Sequence, residues 1–385
     1  MPKLIHNRRA PKNETAHASS KQPKRVEPLI DRLDVQVYRV PTDRPESDGT
    51  FQWDATVMVL VKVKAGDQVG LGYTYADPSA AALIRGKLND EVLHSNPMDV
   101  PALWAKMVHS IRNLGRPGIC SMAIAAVDVA LWDLKARLLD LPLVRLLGAV
   151  REGVPVYGSG GFTSYTIQQL QSQLGGWVEA GIPRVKMKIG RVPEQDLDRV
   201  RAARAAIGED AQLFVDANGA YDRKLALAQA RRFTECGVTW FEEPVSSDDL
   251  EGLHLLRDHA GLEIAAGEYG YDLPYFRRML AAEAVDVLQG DATRCAGITG
   301  FLRAAALCEA FALPFSAHTA PSLHLHACCA APRLRNLEYF HDHVRIERKF
   351  FDGAGAPVHG VLYPDLSQPG LGLELKEADA ARYAL

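Results

Sequence analysis

The sequence predicts an α/β protein, a parallel (β/α) barrel preceded by a smaller α+β domain. Three observations carry that prediction. From residue 151 onward, short apolar runs alternate with amphipathic stretches in units of about 25 residues, the grammar of a parallel sheet wound with helices, and seven or eight such units suggest a closed barrel. Before residue 151 the order differs, with strands first and helices after. Charged and polar residues recur at the ends of the later apolar runs, one set per unit. A chain of 385 residues has room for a barrel of roughly 200–250 residues and a second domain.

The elements follow in order. Residues 1–25 carry Lys3, Arg8, Arg9, Lys12, Lys21, Lys24 and Arg25 against one acid, Glu14, and the segment 1–28 reads as a basic, solvated, disordered extension. They lack the apolar core of a secretory signal. Two strand-like runs come next, LDVQVYRV (33–40) and ATVMVLVKVKAG (55–66). The polar, turn-forming PTDRPESDGTFQWD between them reads as a hairpin connection or flap. In SMAIAAVDVALWDLKARLLDL (121–141), Ile124, Val127, Leu131, Leu134 and Leu138 recur every three or four residues, so this is a helix, and Pro142 ends it. Residues 29–150 therefore form the α+β domain.

The barrel, 151–354, begins with VPVYGSG and continues through RVKMKIG, AQLFVDANG, VTWFEEPV, LEIAAGE, AVDVLQGDA and ALPFSAHT. The main rival is an open doubly wound sheet. That fold usually carries a glycine-rich phosphate turn after its first strand, and GSGGF (158–162) matches it poorly.

Composition narrows the function classes. A net charge of −3 gives no reason to expect nucleic acid or an anionic membrane as partner. No apolar run reaches the ~18 residues of a membrane span. Cys120, Cys236, Cys295, Cys308, Cys328 and Cys329 form no CxxC pair and read as reduced, mostly buried thiols of a cytoplasmic protein.

In a (β/α) barrel the chemistry sits at the C-terminal ends of the strands. Those ends hold Lys186 and Lys188, Asp216 and Asn218, Glu242, Glu268, Asp291 and His318. From Asp216 the steps are 26, 26, 23 and 27 residues, with Glu338 a further 20 along, so one barrel unit separates each from the next. Asp216, Glu242 and Glu268 offer three carboxylates on successive strands, an oxygen-only ligand set suited to Mg²⁺ or Mn²⁺. In VKMKIG the lysines alternate with Val185, Met187 and Ile189, so the two sets face opposite sides of the strand. The apolar set suits the helix-covered outside of a barrel, which turns the ammonium groups inward. Two such cations beside a divalent metal are expected to depress each other's pKa and make a lysine base. Asp291 and His318 end neighbouring strands, and the acid would orient the imidazole as a second acid/base. His324, His326, His341 and His343 show no such register and are read as structural.

These residues resemble the enolase superfamily, in its mandelate racemase subgroup. The resemblance runs from about residue 30 through AAVDVALWDLKARLLDLPLVRLLGA, KMK (186–188), VDANGAY (215–221), WFEEPV (240–245), AAGE (265–268), DVLQGDATRCAGIT (286–299), SAH (316–318) and YPDLSQPGLGLEL (363–375). It implies a modified TIM barrel, (β/α)7β, with an α+β capping domain to which the segment 355–385 returns. It implies Mg²⁺ on Asp216, Glu242 and Glu268, with Mn²⁺ an alternative. Lys188 would be one acid/base, and Lys186 would tune it and touch the substrate carboxylate. His318, paired with Asp291, would serve on the opposite face. Glu338 would meet the developing oxyanion as a carboxylic acid, while Asn218 and Ser159 hold substrate oxygens. Gly290 departs from the pattern, which often has proline there. The implied reaction is α-proton abstraction from a small carboxylate, in the lead reading dehydration of an aldonate or aldarate to a 2-keto-3-deoxy acid. Racemisation or epimerisation of a 2-hydroxy acid is the alternative, and cycloisomerisation of a sugar lactone a third. Family members are commonly homo-oligomers, often octamers. Asp43, Arg44, Glu46, Ser47 and Asp48 in the flap would suit a polyhydroxy substrate if they face the site.

Overall fold

A computed structural model describes residues 28–385, so all but the last residue of the basic extension lies outside the described residues. The chain opens with three antiparallel strands, β1 (Ile30–Ser47), β2 (Gln52–Ala65) and β3 (Gln68–Tyr75), paired in sequence order. The segment read as a flap is mostly strand. β1 runs through it to Ser47, with a register shift between Pro41 and Glu46, and only 48–51 turn. β3 had no distinct signal because Gly70 and Gly72 interrupt its apolar pattern. A Cβ at Gly72 would lie 2.3 Å from the Ala126 carbonyl oxygen. Glycine there lets the strand backbone rest directly on the helix Ile119–Leu138.

That helix is the one the spacing predicts, and Ile124, Val127, Leu131 and Leu134 are fully buried. Burial extends round most of its circumference because the helix lies between the sheet and the barrel. Its two buried acids are therefore structural. Asp128 accepts from Thr299 N and Oγ1 at 2.9 and 2.7 Å, joining the helix to the barrel. Asp133 accepts from Leu71 N, Leu371 N and Arg137 Nε at 2.8, 2.6 and 2.7 Å, tying together sheet, C-terminal segment and helix.

Eight parallel strands follow: β4 (Val154–Gly160), β5 (Arg184–Lys188), β6 (Gln212–Asp216), β7 (Val238–Glu242), β8 (Glu263–Ala266), β9 (Val287–Gly290), β10 (Phe315–Ala317) and β11 (Leu334–Phe340). Each pairs with the next, and β11 pairs back onto β4 with Glu338 opposite Tyr157, which closes the barrel. A helix connects every successive pair, the βαβ arrangement that parallel strands require. Val185, Met187 and Ile189 are fully buried on the outside, in one core with Leu170 and Leu174 of the covering helix.

Inside, Tyr157, Phe214, Trp240, Ala265 and Val287 form a separate apolar plug, with Phe214 stacked on Trp240 at 5.0 Å. One pleat further along β4, β5, β6 and β7 come Ser159, Lys188, Asp216 and Glu242, so the polar ring stands on an apolar floor.

After the helix His341–Phe350, β12 (Phe351–Asp352) pairs with β14 (Glu374–Leu375), while β13 (Val361–Leu362) adds antiparallel to β4. The chain ends back on the first sheet, where Leu385 N donates to Val37 O at 2.9 Å. No helix among the described residues is long and apolar enough to cross a membrane. All six cysteines are free thiols, five of them buried, with Cys236 partly exposed.

Candidate active site

The barrel places the ten sequence-derived residues in one connected cluster. β5 carries Lys186 and Lys188, β6 ends on Asp216 and β7 ends on Glu242. Glu268 lies just beyond β8, Asp291 just beyond β9 and His318 just beyond β10, while Ser159 and Glu338 lie within β4 and β11. Asn218 sits in the turn after β6 at φ +47°, where its N–H donates to Asp216 Oδ1 at 2.9 Å.

The lysines meet the carboxylates. Lys188 Nζ donates to Asp216 Oδ2 at 2.5 Å. Lys186 Nζ bonds Glu242 Oε1 and lies 2.9 Å from Glu338 Oε1 and 3.4 Å from Asp216 Oδ2. Both side chains are buried or nearly so. Burial alone would lower both lysine pKa values. The Asp216 charge outweighs burial at Lys188, and the charges of Glu242 and then Glu338 do so at Lys186, so both stay above the usual lysine range. The Lys186 charge does lower Lys188, as expected, but the carboxylates around the pair outweigh it.

Glu338 feels the same charges. Burial would raise it, but the Lys186 ammonium, then His318 and Lys188, bring it down to about 2. It accepts from Ser159 Oγ at 2.5 Å and Thr319 N at 3.1 Å.

On the other side of the ring, His318 Nδ1 bonds Asp291 Oδ2 at 2.9 Å. Its Nε2 points at the ring, 3.4 Å from Glu268 Oε2 and 3.7 Å from Glu338 Oε2. Asp291 is itself fixed, because its Oδ1 accepts from Thr293 N and Oγ1, both at 2.7 Å. Burial would raise its pKa, but the hydrogen bond and charge of His318 outweigh that and hold it well below the carboxylate range. The histidines read as structural divide. His324 donates from Nδ1 to Ala320 O and accepts at Nε2 from Ala292 N, so backbone groups hold it neutral. His326 accepts from Val144 N, and burial lowers its pKa to about 4. His343 lines the cavity over the ring, stacked on Tyr75 with ring centres 3.5 Å apart. Nothing in its spacing marked it.

Asp216, Glu242 and Glu268 each bring a carboxylate oxygen within 4.8 Å of the other two. Glu268 Oε2 is buried with no hydrogen-bond partner, and the donor set is all oxygen. Those features fit Mg²⁺, which takes carboxylates and keeps positions for water and substrate. Gly290 has a local cause: a Cβ there would lie 2.4 Å from the Phe315 ring, so the bulk of Phe315 excludes a side chain.

A cavity of about 480 Å³ opens above the ring, between the barrel and the β1–β2 hairpin. Of the five hairpin residues considered from sequence, Asp48 alone lines it. Asp43 and Arg44 line a different pocket, Glu46 is buried against Trp53 Nε1, and Ser47 donates to Thr163 Oγ1. The hairpin tip rests on the barrel rim, since a Cβ at Gly49 would lie 2.3 Å from Ala217 O. Arg294 was also missed, although it lies three residues past Asp291. It pairs with Glu268 at 3.2 Å and lies over the Tyr269 ring.

Comparison with known proteins agrees with this architecture. Residues 33–148 match the model of the mandelate racemase/muconate lactonizing enzyme N-terminal domain, and residues 169–379 match the enolase C-terminal domain-like model. The chain is 32% identical over 289 residues to L-talarate/galactarate dehydratase of Salmonella typhimurium, spanning 74% of this chain and 73% of that protein. That enzyme's crystal structure with Mg and L-lyxarohydroxamate superposes with a TM-score of 0.85, at 27% identity and 97% of each chain. The 3,6-anhydro-α-L-galactonate cycloisomerase of Streptomyces coelicolor is 31% identical over 318 residues, 80% of this chain and 88% of that one. A mandelate racemase/muconate lactonizing enzyme-like protein from Rubrobacter xylanophilus reaches 56% identity and a TM-score of 0.91, covering 93% of this chain and all of that one. The cap, the closed barrel and the three-carboxylate ring thus have their place: the chain belongs to the mandelate racemase/muconate lactonizing enzyme family of the enolase superfamily.

Proposed function

We propose that this protein is a Mg²⁺-dependent acid-sugar dehydratase, removing the α-proton of a polyhydroxy carboxylate and expelling its β-hydroxyl to give a 2-keto-3-deoxy acid. The observation that supports it is the pair of acid/base groups on opposite sides of one carboxylate ring, Lys188 against Asp216 and the Asp291-backed His318 against Glu268. Dehydration needs both, one to take the α-proton and one to protonate the departing hydroxyl.

Held by Asp216, Glu242 and Glu268, Mg²⁺ would supply Lewis-acid stabilisation of the enediolate charge and compete with the two ammonium groups for those carboxylates. Lys186 would anchor the substrate carboxylate and add positive charge to it. Lys188 Nζ takes the α-proton in its neutral form, which requires that its ion pair with Asp216 be loosened. His318 Nε2 gives its proton to the β-hydroxyl, which leaves as water, and the resulting enol tautomerises to the keto acid. Asp291 holds Nδ1 protonated, so that Nε2 is the nitrogen facing substrate. Asn218 Oδ1, buried without a hydrogen-bond partner, is free to accept from a substrate hydroxyl.

The test is proton NMR of the Mg²⁺-loaded enzyme in D₂O with a panel of acid sugars. New C3 methylene signals with loss of substrate support the proposal. α-Deuteration with a stereoisomer appearing and no methylene signal would make the enzyme an epimerase, and a ring-opened or ring-closed isomer from a lactone would make it a cycloisomerase.

A further inference from the structure

We infer that the substrate is a monocarboxylate whose far end is neutral, an aldonate-type acid rather than a dicarboxylate; this rests on the dehydratase reading above. The cavity has two unlike walls. The barrel wall holds the cations Lys188 and Arg294, with the His318 ring beside them. The opposite wall comes from the N-terminal sheet. It contributes Asp48, Thr50, Phe51, Trp53, Tyr75 and Asp77, with no lysine or arginine.

A substrate carboxylate held at the ring by Lys186 leaves its other end against that sheet wall. A second carboxylate there would meet two acids. Asp77 is kept ionised by the side-chain and backbone hydrogen bonds from Ser79, and Asp48 turns Oδ1 to Thr50 N and Phe51 N at 2.7 Å each. Arg294 lines the same cavity but is already engaged, 3.2 Å from Glu268 and 3.6 Å from Asp291. Arg44, the nearest arginine in sequence on the hairpin, lines the other pocket. His343 gives no positive charge, since burial, and then the charge of His318, hold its pKa well below the usual value.

What the sheet wall does offer suits hydroxyls and sugar faces. Tyr75 OH is buried with no hydrogen-bond partner, although its ring is fixed by stacking on His343. A buried phenol without a partner is costly unless a ligand supplies one. Phe51 and Trp53 stack with ring centres 6.2 Å apart beside it and give an apolar surface for C–H groups. Thr50 adds a neutral hydroxyl at the hairpin turn.

A carboxylate beside these acids is disfavoured by about tenfold, because solvent screens the exposed Asp77. The experiment therefore uses aldonate and aldarate pairs of the same configuration and chain length with the Mg²⁺-loaded enzyme. It measures kcat/KM for α-deuteration and dehydration, and the calorimetric affinity of the matching hydroxamates. The aldonate is expected to exceed its aldarate by about tenfold in kcat/KM and in affinity. Tyr75→Phe, which keeps the stack, is expected to raise KM for the aldonate several-fold with kcat little changed. Thr50→Arg is expected to narrow the gap by improving the aldarate. An aldarate turned over as well as its aldonate would overturn the inference while leaving the dehydratase reading intact. If neither acid exchanges, the dehydratase reading fails, and equal hydroxamate affinities would then overturn the inference by themselves.

Discussion

Replacing Asp291 with Asn should separate the two acid/base groups. In the wild-type arrangement Asp291 Oδ1 accepts from Thr293 N and Oγ1, and Oδ2 receives His318 Nδ1 at 2.9 Å. The Thr293 N–H is a fixed donor, so an Asn must place its carbonyl oxygen there and turn its NH₂ toward His318. Nδ1 then becomes an acceptor, the ring proton moves to Nε2, and a neutral imidazole N–H is too weak an acid to give that proton to the leaving hydroxyl. The charge pair is lost as well. For charges about 4 Å apart at an effective dielectric of about 20, that attraction is about 4 kcal/mol, or about three orders of magnitude in rate. The side chains are isosteric, and both groups are nearly inaccessible to solvent, so relaxation has little room to compensate. The assay follows α-deuteration and dehydration in the same D₂O sample. Dehydration should fall about 10³-fold, while α-exchange catalysed by Lys188 survives within about tenfold. Equal loss of both would refute the division of labour, because it would make His318 the α-base or the two groups one unit.

Three further outcomes follow from other parts of the structure. Chelation should abolish α-exchange and Mg²⁺ or Mn²⁺ should restore it, whereas Glu268→Gln should weaken the apparent metal affinity at least tenfold in a titration of activity against Mg²⁺. Asp133→Ala removes the acceptor of two buried backbone N–H groups and of Arg137. At about 1–3 kcal/mol per unsatisfied group it should cost about 3–5 kcal/mol in urea unfolding, and a loss under 1 kcal/mol would contradict its bridging role. Asp128 is the pH case: burial raises its pKa to about 7 against the opposing bonds from Thr299, so the folded chain holds a proton that the unfolded chain releases above about 4. Its contribution is fully present below pH ~4 and is lost as pH rises to ~7, so wild-type stability should decline across that window and Asp128→Asn should flatten the decline. An unchanged slope would show that Asp128 does not carry that proton.

The barrel and its ring were legible in the sequence because both are written locally. Each strand is a short apolar run, and each ring residue follows its own run, so spacing alone ordered Asp216, Glu242, Glu268, Asp291 and His318. The alternation in VKMKIG likewise fixed the inward direction of Lys186 and Lys188. Contacts between distant segments were not legible. The wall of Tyr75 and His343 joins residues that only the closed fold brings together, and the glycines that let β3 lie on its helix hid that strand. Whether a hairpin acid faces the substrate depends on the register shift between Pro41 and Glu46, which turns Asp43 and Glu46 away and leaves Asp48 at the cavity. The charge balance at the lysines was hidden for a related reason: the repulsion between the two ammonium groups could be read within one strand, while the carboxylates that face them come from other strands.

The central claim is that Lys188 removes an α-proton beside a Mg²⁺-bound carboxylate ring. Its most direct test is solvent deuterium incorporation at the α-carbon of an acid sugar, with Mg²⁺-saturated wild type beside Lys188→Ala. The wild type should incorporate deuterium during turnover, and the variant should lose that exchange by about 10³–10⁴-fold while remaining folded and binding Mg²⁺. Exchange that persists in the variant for every substrate the wild type accepts would contradict the account.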